Sequence, residues 1–288
     1  MIYLKKGYIY SIVSAVLFGT AGIFVKMAHN TGLDSVDLLT FQYIIAVTIM
    51  FVFAFLKDRT KLCVNKKELV NLAVLGIVGN TFMTVFYYKA FEYLNVAMVT
   101  MLLFTYPIMV FIYSVIFEKQ RGEIKKVLAM LMAFLGCILT LNIFSGNINY
   151  SLKGIVFGLL SAVFYAFMNL YSEKKLQTVD SLSINAYSTL FSLVSLIIYR
   201  QPKVLLETHI NFNSLIYILA LAILCEIIPL TLLYKSIQYI GSLKVSVIGN
   251  LEIPTSMLVS VIFLKEPLII LQVIGAVMIV YAVHVIRA

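Results

Sequence analysis

Long apolar stretches, separated by short charged punctuation, run the whole length of the chain. Ten of them fall at residues 7–28, 36–56, 69–91, 95–117, 124–143, 152–172, 182–200, 214–237, 244–264 and 268–286. Each approaches the roughly 20 residues that a helix needs to cross a ~30 Å hydrocarbon core. A membrane β-barrel would instead need alternation of apolar and polar positions in segments of about ten residues, and these runs are continuous. The pattern predicts an all-α polytopic membrane protein with ten transmembrane helices. The first run begins at Gly7 and lacks a small-residue cleavage site, so it reads as a retained helix and not a removable signal peptide. The longest connections, around 57–68 and 201–213, are short, so any chemistry is expected between the helices.

Composition supports this reading. Charged residues make up 12% and hydrophobic residues 62%, against about a quarter charged in soluble domains. A mean hydropathy of +1.00 leaves no water-facing surface of ordinary size. With the N-terminus in the cytoplasm, sixteen of the 22 lysines and arginines fall on inside segments and six on outside ones. That is the bias of the positive-inside rule, and ten spans return the C-terminus to the cytoplasm. The net charge of +9 is therefore a topology signal. The basic residues are spread over short segments and form no nucleic-acid patch. Cys63, Cys137 and Cys225 show no paired spacing, so neither a disulfide framework nor a metal site is expected.

The apolar runs also repeat. "KGYIYSIVSAVLF" from Lys6 matches "KGIVFGLLSAVFY" from Lys153, and "YYKAFEYLNVAMV" from Tyr87 matches "LYKSIQYIGSLKV" from Leu233. Pro107 then pairs with Pro254, and Glu118 with Glu266, in a register that stays between 146 and 148 residues. Two related halves follow, 1–143 and 152–288, of five helices each. Five is odd, so the second half enters from the opposite face. Such 5+5 inverted-topology repeats are an architecture of secondary transporters, with the binding site near midplane where the halves meet.

On these residues the chain resembles the drug/metabolite transporter superfamily, in its ten-helix type with two EamA domains. The likeness rests on "KG…SA" opening each half and on the aromatic–Lys–small stretch before the fourth helix. "LEIP…LKEP", from Leu251, is similar to that family's "LEP…LGEP", with Glu252 and Glu266 keeping the spacing and the proline one residue later. The resemblance implies movement of small metabolites, often amino acids, across the cytoplasmic membrane.

Candidate site residues come from what oil should exclude. Glu226 and Glu252 each lie near the centre of a span, where insertion costs about 2.5–3.5 kcal/mol. A carboxyl removed from water favours its neutral form, so either acid is a candidate proton carrier. Glu252 is given the larger structural share, because the "LEP" glutamate is a family feature. Lys89, Lys235, Glu92 and Glu173 sit near helix ends and read as snorkelling groups. Pro107, Pro229 and Pro254 each remove a backbone hydrogen bond, and are expected to free the carbonyls of Leu103, Cys225 and Asn250. Helical spacing places Gly76, Asn80, Thr84 and Tyr87 on one face, Tyr165 and Asn169 on another, and Gly249, Glu252, Ser256 and Ser260 on a third. In the repeat Asn80 is the counterpart of Glu226. Glu226, Glu252, Asn80, Thr84, Tyr87, Asn169, Tyr165 and Asn250 are thus the expected substrate-binding residues. Ser11, Ser14, Ser192 and Ser195 read as helix-packing residues.

Enzymatic motifs are missing: no HExxH, GxSxG or P-loop occurs, and Asp34, Asp37, Asp58 and Asp180 are all read as outside the membrane interior. Neither cofactor nor metal is expected. The favoured function is secondary transport of a small polar metabolite, amino-acid-like or amine-containing, coupled to protons. The expected partners are the substrate and the bilayer, with a homodimer left open and nucleic acid excluded. A multidrug cation/proton antiporter is the nearest alternative, but it would carry an acid on the first helix, which has none. A non-transporting scaffold or sensor is a third reading, against which the midplane glutamates argue.

Overall fold

Residues 2–29, 35–94, 96–117, 124–141, 151–200, 211–265 and 268–287 are described by the computed structural model. Glu118, Glu266, Lys203, His209 and Asp34 lie outside them. Helix fills all ten apolar runs. Here α1 is Ile2–Gly19 with its continuation Ala21–His29, α2 is Ser35–Lys57, and α3 covers 66–91. Then α4 is Val96–Leu103 and Tyr106–Phe117, α5 is Ile124–Thr140, α6 is Leu152–Lys175 and α7 is Ser181–Arg200. Finally α8 covers 212–240, α9 is Ser242–Gly249 and Glu252–Leu264, and α10 is Ile270–Arg287. Among the described residues eight of these are long and apolar enough to cross a membrane, and Ile270–Ile286 is a shorter apolar helix. Ile124–Thr140, with 17 residues, is shorter too. The protein is an all-α polytopic membrane protein. One aspartate moves inward relative to expectation: Asp37 lies in the first turn of α2.

Burial is inverted relative to a soluble protein. Large apolar side chains such as Phe53 and Leu56 on α2, Leu135 on α5 and Val277 on α10 are exposed. Polar ones such as Ser161, Asn169, Asn185, Ser188 and Thr189 are fully buried. With lipid outside, no hydrophobic force separates helix from solvent, and association rests on close packing and interhelical hydrogen bonds. The packing-serine reading fits this: Ser14 donates to the Pro229 carbonyl at 2.8 Å, and the Ser192 and Thr81 hydroxyls meet at 3.0 Å. The tightest crossing joins α5 to α10, where a Cβ on Gly275 would stand 2.5 Å from the Gly136 carbonyl oxygen.

The helix pairs follow the sequence repeat. α1 packs along α8 as α3 packs along α6; α2 meets α8 as α7 meets α3; α1 meets α9 as α6 meets α4; and α5 lies against α10. Exchanging the first five helices for the last five leaves this set unchanged.

Two pairs of irregularities obey the same exchange. Leu75–Thr81 in α3 and Leu221–Ile227 in α8 are wide π turns, 146 residues apart. In α8 the cause is legible. Pro229 has no N–H to give the carbonyl four residues back, and the Ile228 N–H reaches five residues back to Ile223. The other pair consists of breaks, at 104–105 in α4 and at 250–251 in α9, each just before a proline.

Candidate functional site

Each π turn delivers one polar side chain into the interior: Asn80 from α3 and Glu226 from α8, only 4% and 6% exposed. Such turns are frequent at functional sites because they rotate a side chain off the regular helical face. Around Glu226 the structure assembles a polar cluster from four helices. Thr189 on α7 reaches Glu226 Oε1 and Asn185 Oδ1, both at 3.0 Å. The Asn185 amide nitrogen donates to the Glu226 carbonyl at 3.3 Å, the Ile227 carbonyl at 3.2 Å and Thr231 Oγ1 at 3.0 Å. Three acceptors on one side fix the orientation of that amide and leave Oδ1 facing Thr189. The Tyr43 hydroxyl of α2 pairs with Thr84 and lies in electrostatic reach of Glu226 and Tyr88. Tyr234 on α8 faces Ser188, Asn80 and Glu226. Yet the Tyr234 hydroxyl and Asn80 Oδ1 are buried and complete no hydrogen bond.

A second cluster surrounds Glu252, at the start of the outer half of α9. Tyr87, Tyr106 and Tyr165 all stand within electrostatic reach of its carboxylate. The Tyr106 and Tyr165 rings lie 4.3 Å apart between centroids. The Tyr106 hydroxyl donates to the Ser246 carbonyl at 3.1 Å. It presses on Gly249, where a Cβ would come within 2.6 Å of its oxygen. Glycine is required there to admit the tyrosine. The two clusters adjoin: Tyr165 is in reach of both Glu252 and Tyr234, and Cys225 of both glutamates.

The structure therefore brings together Glu226, Asn80 and Thr84 in one cluster, and Glu252, Tyr87 and Tyr165 in the other. Asn169 and Asn250 behave differently. The Asn169 amide donates to the Tyr165 carbonyl one turn back on its own helix, and Asn250 likewise to Ser246 and Val247. Each keeps an unpaired buried Oδ1. The expected free carbonyl of Asn250 is taken by the Ile253 N–H at 3.1 Å, because the chain tightens by one residue at the break. In α8 the carbonyls that bond to side chains are those of Glu226, Ile227 and Pro229. Glu173 is a capping group: its carboxylate accepts the Ser242 N–H at 3.1 Å, closing α6 onto the start of α9.

Sequence reasoning missed Tyr43, Thr189 and Tyr234. Tyr43 and Thr189 are isolated polar positions within apolar runs, a signal drowned by 18 tyrosines and by the serine stripe of α7. Asn185 and Ser188 were visible in that stripe, but packing explains them equally well from sequence. Among the described residues no cluster of His, Cys, Asp and Glu could hold a metal ion.

Comparison with known proteins agrees with this architecture. The model of the EamA-like transporter family matches residues 5–142 and again 152–288. The chain belongs to the EamA-like transporter family. Its two EamA-like regions coincide with the two sets of five helices. Among similar proteins is the "Uncharacterized transporter YcbK" of Bacillus subtilis, 23% identical over 93% of this chain and 88% of its own length. Another, an "Uncharacterized transporter" of Archaeoglobus fulgidus, is 25% identical over 93% of this chain and 91% of its own. "Solute carrier family 35 member G1" of mouse is 27% identical over 46% of this chain and 35% of its own length. A solved crystal structure superposes with a TM-score of 0.81 at 15% identity, covering 98% of this chain and 96% of that one, which fixes the fold. The EamA chain is thus a multi-pass membrane protein of a transporter family.

Proposed function

We propose that this EamA protein is a secondary transporter. It moves a small polar metabolite, amino-acid-like or amine-bearing, across the cytoplasmic membrane by alternating access, with protons as the coupling ion. In this reading the halves 1–143 and 152–288 are related by an axis in the membrane plane, both termini are cytoplasmic, and the substrate lies between the two clusters. The preserved helix pairing under exchange of the halves supports the repeat. Two pseudo-equivalent halves have two arrangements of similar energy, which alternating access requires.

The observation that carries the proposal is the unfinished polar cluster at Glu226. A buried acid, a buried tyrosine hydroxyl and a buried amide oxygen meet there with unused hydrogen-bonding capacity. Such groups cost about 1–3 kcal/mol each when unpaired, so a structural role alone would have replaced them with apolar residues. Proton coupling is supported by counting hydrogens. Thr189 has one hydroxyl proton and two acceptors at equal distance, Asn185 Oδ1 and Glu226 Oε1. A proton on the carboxyl supplies the missing donor. The test is flux into proteoliposomes of the purified protein against a panel of amino acids and amines, with and without an imposed pH gradient. Gradient-dependent uptake of a panel member is the expected result; no flux under any gradient, in either direction, would defeat the proposal.

A further inference from the structure

The two buried acids are not equivalent. Glu226 is held by the Thr189 hydroxyl and sits among hydroxyls and amides. Glu252 is only partly buried, and among the described residues its carboxylate receives no hydrogen bond and no lysine or arginine pairs with it. A carboxylate set in a low-dielectric wall without donors must be neutralised by something that comes and goes. Its immediate surroundings are aromatic: Tyr87, Tyr106 and Tyr165, three π faces about one negative charge. Tyr106 is held in place by its bond to the Ser246 carbonyl and its seat on Gly249, and Tyr165 is packed against it at 4.3 Å. A rigid wall of this kind loses little entropy when a ligand enters. Carboxylate plus aromatic faces is the combination that attracts an organic cation, by charge and by cation–π contact. An anion would be repelled, and a neutral sugar would find no free donor on the acid.

We infer that Glu252, walled by Tyr87, Tyr106 and Tyr165, is the subsite for the ammonium group of the substrate, which makes the transported class organic amines, amino acids included. The inference rests on the transporter reading and divides its labour. Glu252 takes the ammonium, and Glu226 is left to the proton.

The test needs no knowledge of the natural substrate. Dicyclohexylcarbodiimide modifies carboxyls in apolar surroundings, and peptide mass spectrometry measures the adduct at Glu252 in the purified full chain. n-Butylammonium should slow adduct formation at Glu252 in a concentration-dependent way, while n-butanol, its neutral analogue, should not. Tyr87→Phe should keep the protection because the π face remains. Tyr165→Leu, or Tyr87→Leu if the former does not fold, should weaken it roughly two- to thirty-fold. Absence of adduct at Glu252, equal protection by the alcohol, or protection confined to Glu226 would each overturn the inference. If protection is absent while proteoliposomes still show gradient-driven flux of a panel solute, the ammonium subsite is wrong and the transporter reading stands. Protection without any flux would reverse that outcome.

Discussion

Glu226→Gln separates a proton-carrying role from a structural one, and the geometry sets its expected size. In the wild type the chain of contacts runs from Glu226 Oε1 to Thr189 Oγ1 to Asn185 Oδ1, at 3.0 Å each, and Asn185 is anchored through its amide nitrogen to two carbonyls and Thr231. A glutamine at 226 can present its N–H to Thr189, which then gives its own proton to Asn185. Every bond survives, and at about 1 kcal/mol per bond the variant should keep the wild-type stability to within about 1 kcal/mol. Thr189→Val has nearly the same shape but no hydroxyl, so Asn185 Oδ1 and the acid lose their shared partner. Its cost should be about 1–3 kcal/mol. Stability is read by thermal unfolding in detergent, and function by two flux assays in liposomes. Glu226→Gln mimics the permanently protonated acid, so solute exchange at equal pH should persist within about threefold of wild type. Accumulation driven by a pH gradient should fall by at least about tenfold, a difference of about 1.4 kcal/mol in coupling. Undiminished gradient-driven accumulation by Glu226→Gln would refute the role. So would a Glu226→Gln protein less stable than Thr189→Val, because the hydrogen count would then be wrong.

Three further outcomes follow from the packing. Gly275→Val should destabilise the protein by about 1–3 kcal/mol or more, since the first added carbon already meets the Gly136 carbonyl at 2.5 Å and backbone cannot step aside; an unchanged unfolding temperature would show that α5 and α10 do not cross there. Cys63 is exposed, and Cys137 and Cys225 are buried; a membrane-impermeant maleimide should label Cys63 from the cytoplasmic face alone, and labelling from outside would invert the assigned orientation. Glu173→Ala should cost about 0.5–2 kcal/mol by uncapping the Ser242 N–H, whereas Glu173→Gln, which keeps an acceptor, should cost less; equal losses would point to charge rather than the cap.

The helices were legible because oil is a demanding solvent. Continuous apolar runs in lipid have no alternative to helix, so every expected span holds one, and the repeat in residues reappears as a repeat in packing. The site was legible only in its acids. Glu226, Asn80 and Glu252 stand out by the cost of placing them at midplane, and the repeat itself pairs Asn80 with Glu226. Thr189 and Tyr43 do not stand out, since a lone hydroxyl in a membrane helix commonly satisfies itself on its own backbone, as Thr140 does on Gly136. The π turns escaped as well. Proline announced a lost hydrogen bond, but whether the helix then widens, as before Pro229, or tightens, as before Pro254, depends on neighbours distant in sequence. The larger structural share expected for Glu252 is a case in point. Its family motif suggested a structural part, yet the acid with a protein partner is Glu226.

The asymmetry between the halves gives the proposed cycle its direction of control. Scaffold features are duplicated: both π turns, both breaks and the paired helix contacts survive exchange of the halves. The titratable chemistry is not. Glu226 faces Asn80 as its counterpart, and by the register of Pro107 and Pro254 the counterpart of Glu252 is Thr105, whose hydroxyl is spent on the Leu102 carbonyl. A symmetric scaffold leaves the two access states close in energy, so whatever is present in one half alone decides between them. Both acids belong to the second half. Charging or neutralising either one then changes the interactions of that half without an offsetting change in the other. A bias of about 1.4 kcal/mol already shifts the populations tenfold, which is within what one proton or one ammonium contributes at a poorly solvated carboxylate. In the proposed mechanism the duplicated helices thus make the motion inexpensive, and the two unduplicated glutamates make it depend on what is bound.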